Sequence, residues 1–226
     1  MAADPFPDLA AAHVADACVR LGLPVRAAPL PPLIPGSRIA GRVLPARHSG
    51  SVDVFLEAFG RAEEGDVLVV DDGGRLDEAC VGDLVALEAV GAGIAGIVIW
   101  GLHRDTAELR RIGLPVFSLG AAPNGPARAR AASGARDARI GGLRTDGRDV
   151  LIADDDGVLL VRAEEAARVA ALAAVVRDTE AAQADRMRAG TSLRQQTEFD
   201  RYLRERAERG VTLRQHLRSL GAAVEE

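Results

Sequence analysis

The chain has 226 residues, 48% of them hydrophobic and only 3% aromatic, which suits one domain with a core of Ala, Val, Leu and Ile. A net charge of −5 and a pI near 5.5 supply no general electrostatic reason to bind nucleic acid. No lysine occurs, so all 28 basic residues are arginine; imine-forming aldolase, pyridoxal phosphate and Walker-type phosphate chemistry are thereby excluded.

The opening MAADPFPDLAAA has neither the basic start nor the apolar stretch of a signal peptide. Leu9, Val14, Cys18 and Leu21 then recur at helical spacing, placing a first helix over residues 8–21 with Gly22 as its stop. A proline-rich connector, PLPPLIPG, leads into a strand candidate, RIAGRVLPA. VDVFLEAFGRAEEG reads as a second helix closed by Gly65. DVLVVD, residues 66–71, is a strong strand followed by a DGG turn. Residues 82–90 read as a helix, 97–100 as a strand, 106–112 as a helix and 115–119 as a strand, an alternation that argues for an α/β core with crossover connections. DVLIADDDGVLLVR is two β-rich runs joined by an Asp-Gly turn, a hairpin signal. Residues 163–189 contain no Gly or Pro and would form a helix about 40 Å long, longer than the domain needs to cover its own sheet, so its far end is expected to reach a neighbouring subunit. The division expected is an α/β domain over residues 1–190 and an arginine-rich helical extension over 191–226 that packs on the oligomer. GAGIAGIVIWGL is too short to span a bilayer, Cys18 and Cys80 form no CxxC pair, and a cytoplasmic protein with reduced thiols is expected.

Two motifs have simple readings. Gly91, Gly93 and Gly96 spell GxGxxG, but a dinucleotide fingerprint follows a strand and opens a helix; here the helix comes first, so a tight helix-to-strand turn is expected. Asp154, Asp155 and Asp156 lack the alternate spacing and distal glutamate of a calcium loop, and a hairpin turn is expected.

The stretch GIVIWGLHRD carries more chemistry. An apolar run stops at a glycine and is followed by Arg104 and Asp105. Strand ends in α/β folds are where ligands bind, and a guanidinium there pairs with a carboxylate. Asp105 with Glu108 also fits a capping box for the next helix, and Arg104 could be an ordinary surface residue of the turn. Residues Gly82, Asp83, Leu84 and Val85 open a helix whose first N–H groups form an anion site, with Asp83 as cap. If the two turns meet, an anionic substrate would lie between them, with a cation on Asp105.

Twenty residues separate Asp83 from Arg104-Asp105, and this D-x20-R-D spacing, with GDVLVVDDGG, GDLVALEAVGAGIAGIVIWGLHRD, GLPVFSLG and DDDGVLLV, resembles the class II 4-hydroxy-4-methyl-2-oxoglutarate/4-carboxy-4-hydroxy-2-oxoadipate aldolases and the related regulators of ribonuclease activity A. The likeness covers roughly residues 8 to 190. It implies a swivelling α/β/β/α domain assembled as a trimer or hexamer with sites at subunit interfaces. It further implies that residues 82–85 and Arg104 hold the carboxylate and keto oxygen of pyruvate, that Asp83 assists the chemistry, and that Asp105 holds Mg²⁺ or Mn²⁺. The activity implied is metal-dependent cleavage of a 4-hydroxy-2-oxo acid to pyruvate, with oxaloacetate decarboxylation. In a lysine-free chain the metal would replace the imine as electron sink. Members that act only as regulators, binding a ribonuclease E-type partner, tend to lack the aspartate after the arginine, which is present here. Family enzymes use an acidic residue from a neighbour's C-terminal helix; Glu180 continues the stripe Val169, Leu172, Val176 and is the candidate, the other reading being that the helix has left its core there and Glu180 is solvated. The segment after PVFSLG departs from the family pattern.

Overall fold

A computed structural model describes residues 4–127 and 136–220. Its elements are α1 (Ala11–Arg20), β1 (Arg26–Ala28), β2 (Ile39–Arg47), α2 (Asp53–Phe59), β3 (Val67–Asp71), β4 (Ala79–Val81), α3 (Asp83–Gly91), β5 (Gly96–His103), α4 (Thr106–Ile112), β6 (Val116–Ala121), β7 (Asp137–Ile140), β8 (Leu143–Asp146), β9 (Asp149–Asp154), β10 (Gly157–Arg162), α5 (Ala163–Arg188), α6 (Leu193–Gln196), α7 (Phe199–Arg209) and α8 (Leu213–Leu220). The α/β class, the hairpin and the long C-terminal helix are as expected. The segment 128–135 and the end of the tail, 221–226, lie outside the described residues.

The main sheet runs β1-β10-β9-β2-β3-β5-β4, with β6 on the other edge of β5. Strand β2 joins its two halves: Ile39 to Arg42 pair antiparallel with β9, and Val43 to Arg47 pair parallel with β3. The parallel half continues through β3-β5 and β5-β6. Beyond the end of β3, β4 takes the same edge of β5.

Period-2 alternation sorts the strand residues into layers. In β3, Leu68 and Val70 pack under α2, α3 and α4 with Phe55, Ala86, Ala89 and Leu109. Val67 and Val69 face the opposite way, meeting Phe117, Leu151, Ala153 and Leu160 where the curled sheet packs on its own antiparallel half. In β9, Val150 and Ile152 turn outward against α1 and α5 through Val14, Cys18 and Val169. The layers are therefore α/β/β/α. With both faces covered, β3 is buried at all five positions, which is why it reads as a continuous apolar run rather than an alternating one.

Several local expectations need correcting. α1 begins at Ala11, not residue 8, because Asp154 of the β9–β10 turn reaches across to accept the Ala11 N–H at 2.7 Å. α2 ends at Phe59 and the chain turns before Gly65, whose φ is +89°. β5 does not stop at Gly101 but continues to His103. Gly101 is needed there because a Cβ would lie 2.8 Å from the Cβ of Asp72. The GxGxxG glycines do form the turn from α3 into β5, with Gly93 at φ +75°.

α5 has 26 residues. Its first half buries Ala166, Val169, Ala173 and Val176, whereas beyond Val176 only Gln183 is buried. There α6 folds back on it: Gln196 donates to the Gln183 carbonyl at 3.1 Å and accepts from Arg186 at 2.8 Å.

Candidate functional site

Four neighbouring parallel strands place the candidate site residues at their carboxyl ends, where open α/β sheets bind ligands. His48 follows β2, Asp72 follows β3, Gly82 follows β4, and Arg104 with Asp105 follow β5. Backbone bonds extend the ladders through these positions: His48 N–H to Asp71 C=O at 2.9 Å, Asp72 N–H to Trp100 C=O at 3.2 Å, and Arg104 N–H to Val81 C=O at 2.9 Å. The side chains are thus carried by sheet backbone rather than by loops.

A cleft of about 130 Å³ opens between these ends, lined by His48, Cys80, Arg104, Pro126 and residues 82–85. The start of α3 and the Arg104 turn meet at this cleft. Gly82 is the N-cap of α3 in extended conformation. A Cβ at Gly82 would lie 2.4 Å from Asp105 Oδ2 and 3.2 Å from Arg104 Nε. Gly125 does the same for the other end of the guanidinium, at 2.7 Å from Arg104 Nη1. Arg104 and Asp105 form an ion pair at 3.3 Å, with side chains 48% and 37% exposed.

Neither aspartate caps its helix in the expected way. Asp105 adopts a left-handed conformation, φ 58° and ψ 39°, and makes no side-chain cap bond, so the capping box with Glu108 does not form. Asp105 needs an extended backbone to reach the amides of α4, and the left-handed turn directs its carboxylate to Gly82 and Arg104 instead. Left-handed backbone at a non-glycine residue costs energy and clusters at functional sites. Asp83 is the first helical residue rather than the cap, and its Oδ1 accepts the Leu84 N–H at 2.7 Å.

His103 braces this turn. Its ring meets Ser118 Oγ of β6 at 2.8 Å and Thr106 Oγ1 of α4 at 3.2 Å. Burial, reinforced by the nearby Arg110, lowers its pKa below the usual histidine value, favouring the neutral ring that accepts or donates within this bridge.

Beneath the cleft lies a group that the sequence reading missed. His48, Asp72 and Cys80 are all buried, and one ligating atom from each lies within 4.8 Å of the others, so they could hold a metal ion. His48 Nδ1 meets Asp72 Oδ1 at 2.7 Å, and the imidazole stacks on Phe55 at 5.6 Å and 5°. Burial and, next, the charge of Asp72 push the Cys80 thiol well above its ordinary pKa. Cys18 and Cys80 are both free. The doubled aspartate at the end of DVLVVDD was the available signal, but β4, only three residues long, is what brings Cys80 to it.

Asp105 also fits a hard cation. Its carboxylate is partly exposed, is not spent on helix capping, and occupies a cradle that any Cβ at Gly82 would fill. Mg²⁺ and Mn²⁺ favour such oxygen donors and retain several waters. Glu180 lies away from the cleft of its own chain, 45% exposed and 3.5 Å from His13 of α1.

Among known proteins, the family model RraA-like, described as Aldolase/RraA, matches residues 11–160. A Pseudomonas syringae pv. tomato str. DC3000 protein described as uncharacterized has a TM-score of 0.75 at 25% identity, covering 84% of this chain and 94% of its own. The RNA-processing inhibitor RraA from Thermus thermophilis matches at TM-score 0.55 and 30% identity, covering 61% and 84% of the two chains. Streptomyces coelicolor RraAS2, described as an unusual member of the RNase ES inhibitor RraA protein family, shares the fold at TM-score 0.69 and 23% identity, covering 81% of this chain and 94% of its own. No helix among the described residues is long and apolar enough to cross a membrane.

Proposed function

Because the chain belongs to the RraA-like family of aldolases and RraA proteins, we propose that it is a divalent-metal-dependent lyase that cleaves a 4-hydroxy-2-oxo acid to pyruvate and decarboxylates oxaloacetate. One observation carries this reading: Arg104 and Asp105 at the end of β5 lie against Gly82 at the start of α3, and Arg104 with residues 82–85 lines a cleft sized for a small acid.

The substrate carboxylate sits against the α3 N-terminus, where first-turn N–H groups and the helix dipole favour an anion, and Arg104 donates to it and to the 2-oxo oxygen. Mg²⁺ or Mn²⁺ held by Asp105 would draw electron density from the 2-oxo group as the C3–C4 bond breaks. Arg104, whose backbone is held by its ladder bond and whose guanidinium lies close to Gly82 and Gly125, stabilises the charge that develops on that oxygen. Asp83 lies beside the same anion site and Glu180 is supplied by a neighbouring copy; both are assigned to proton transfer. That arrangement calls for a homo-oligomer, and the outer face of α3 suits one: Leu84, Leu87 and Val90 are 75%, 53% and 50% exposed.

Oxaloacetate decarboxylation measured with and without Mg²⁺, in wild type and Asp105→Ala, tests the reading. Activity that requires both metal and Asp105 supports it, and equal rates in all four conditions would sink it. A second reading, a non-catalytic regulator that binds a ribonuclease E-type enzyme, is supported by the likeness to the Thermus thermophilis inhibitor. It is distinguished by pull-down of such an enzyme with the Asp105→Ala protein, which a regulator would still bind.

A further inference from the structure

We propose a second metal site, separate from Asp105, in which His48, Asp72 and Cys80 bind a borderline-soft divalent transition metal of the Zn²⁺ class. The proposal stands whether or not the lyase reading does.

Imidazole nitrogen, carboxylate oxygen and sulfur within 4.8 Å of one another form a mixed donor set that suits Zn²⁺ or Co²⁺ and not Mg²⁺ or Ca²⁺, which take oxygen ligands. The His48 and Asp72 side chains are each only 1% exposed, and Cys80 is 6% exposed. An independent observation points to a missing partner: Asp72 Oδ2 is buried and no hydrogen bond of ordinary geometry reaches it. A carboxylate oxygen withdrawn from water and left unpaired is costly, and a cation would satisfy it. Gly101 keeps open the space this oxygen occupies, since a Cβ there would come within 3.0 Å of it.

The donors are preorganised. They come from three different strands or strand ends, and the His48 ring is held by Phe55 and by its bond to Asp72. Three protein ligands leave a fourth position, and His48 and Cys80 both line the cleft. That pattern is the one found in open zinc sites rather than closed structural ones. A metal here would sit beneath the anion site formed by α3 and Arg104.

The test is a Co²⁺ titration of the full chain after treatment with a chelator, followed by competition with Zn²⁺. The expected result is a thiolate-to-cobalt charge-transfer band that saturates at one equivalent of Co²⁺ per chain and that Zn²⁺ abolishes. Cys80→Ser should lose the band, and Asp72→Asn should weaken binding by at least about 10-fold. Asp105→Ala should keep the band unchanged even though it removes Mg²⁺-dependent activity, so the two sites fail separately. Circular dichroism establishes that each variant is folded. No stoichiometric band in the wild type, or a band that survives Cys80→Ser, overturns the proposal; the wild-type arm decides this even if a variant does not fold.

Discussion

Gly82→Ala separates the site from the fold. The backbone at Gly82, φ −133° and ψ −168°, is open to any residue, so the substitution adds no dihedral strain. The new methyl would start 2.4 Å from Asp105 Oδ2, and ordinary contact lies about 1 Å further out. Asp105 and Arg104 must therefore swing away together. Their ion pair is partly exposed, so breaking it costs about 0–1 kcal/mol, and an off-rotamer side chain adds about 0.5–1.5 kcal/mol. Restricting the unfolded chain returns about 0.4–1 kcal/mol. The net loss of stability should stay below about 2 kcal/mol. For a substrate held between α3 and Arg104, however, a displacement near 1 Å costs about 100-fold in rate. Urea unfolding and oxaloacetate decarboxylation kinetics on the same preparation would measure both. A folded Gly82→Ala protein with wild-type kcat/KM would refute the claim that this cradle positions the reacting groups.

Replacing Asp105 by Gly relieves a left-handed residue and should leave thermal stability unchanged or raised by up to about 1 kcal/mol, while abolishing metal-dependent turnover; a clear loss of stability would show that the carboxylate holds the fold. His103 has a lowered pKa, so the unfolded state binds more protons just below the ordinary histidine value of 6.5. Its contribution to stability is therefore full above about pH 6.5 and is lost as pH falls below it, a slope that should flatten in His103→Gln when unfolding is followed between pH 7.5 and 5. Asp149 is fully buried and bonds Arg26 at 2.6 Å and 3.0 Å. Asp149→Ala removes this pair but leaves Arg26 its bond to the Arg144 carbonyl at 2.6 Å, and should cost about 1–3 kcal/mol in chemical denaturation. Leu87→Arg places a charge on the exposed apolar face of α3 and should lower the mass measured by light scattering.

The sequence reached the strand-end arginine and aspartate because their chemistry is local: an apolar run, a turn and two charges are legible without neighbours. The helix start at Gly82 was legible for the same reason, as was the continuous burial of β3. What Asp105 does with its carboxylate was not, because D-x-x-E spacing is compatible with a capping box and only the packed turn, braced by His103 between β6 and α4, imposes the left-handed backbone. The start of α1 depended likewise on Asp154, which lies 143 residues away.

The sequence by itself determined the α/β order of elements, the absence of lysine-based catalysis, and the candidacy of the helix start at Gly82 together with Arg104-Asp105. Tertiary structure alone decided that His48, Asp72 and Cys80 meet. Their separations along the chain follow no motif, and β4 carries too few residues to declare itself. Propensity and periodicity act over a few residues, whereas the convergence of four strand ends is set by sheet register and by crossovers that bring distant segments side by side.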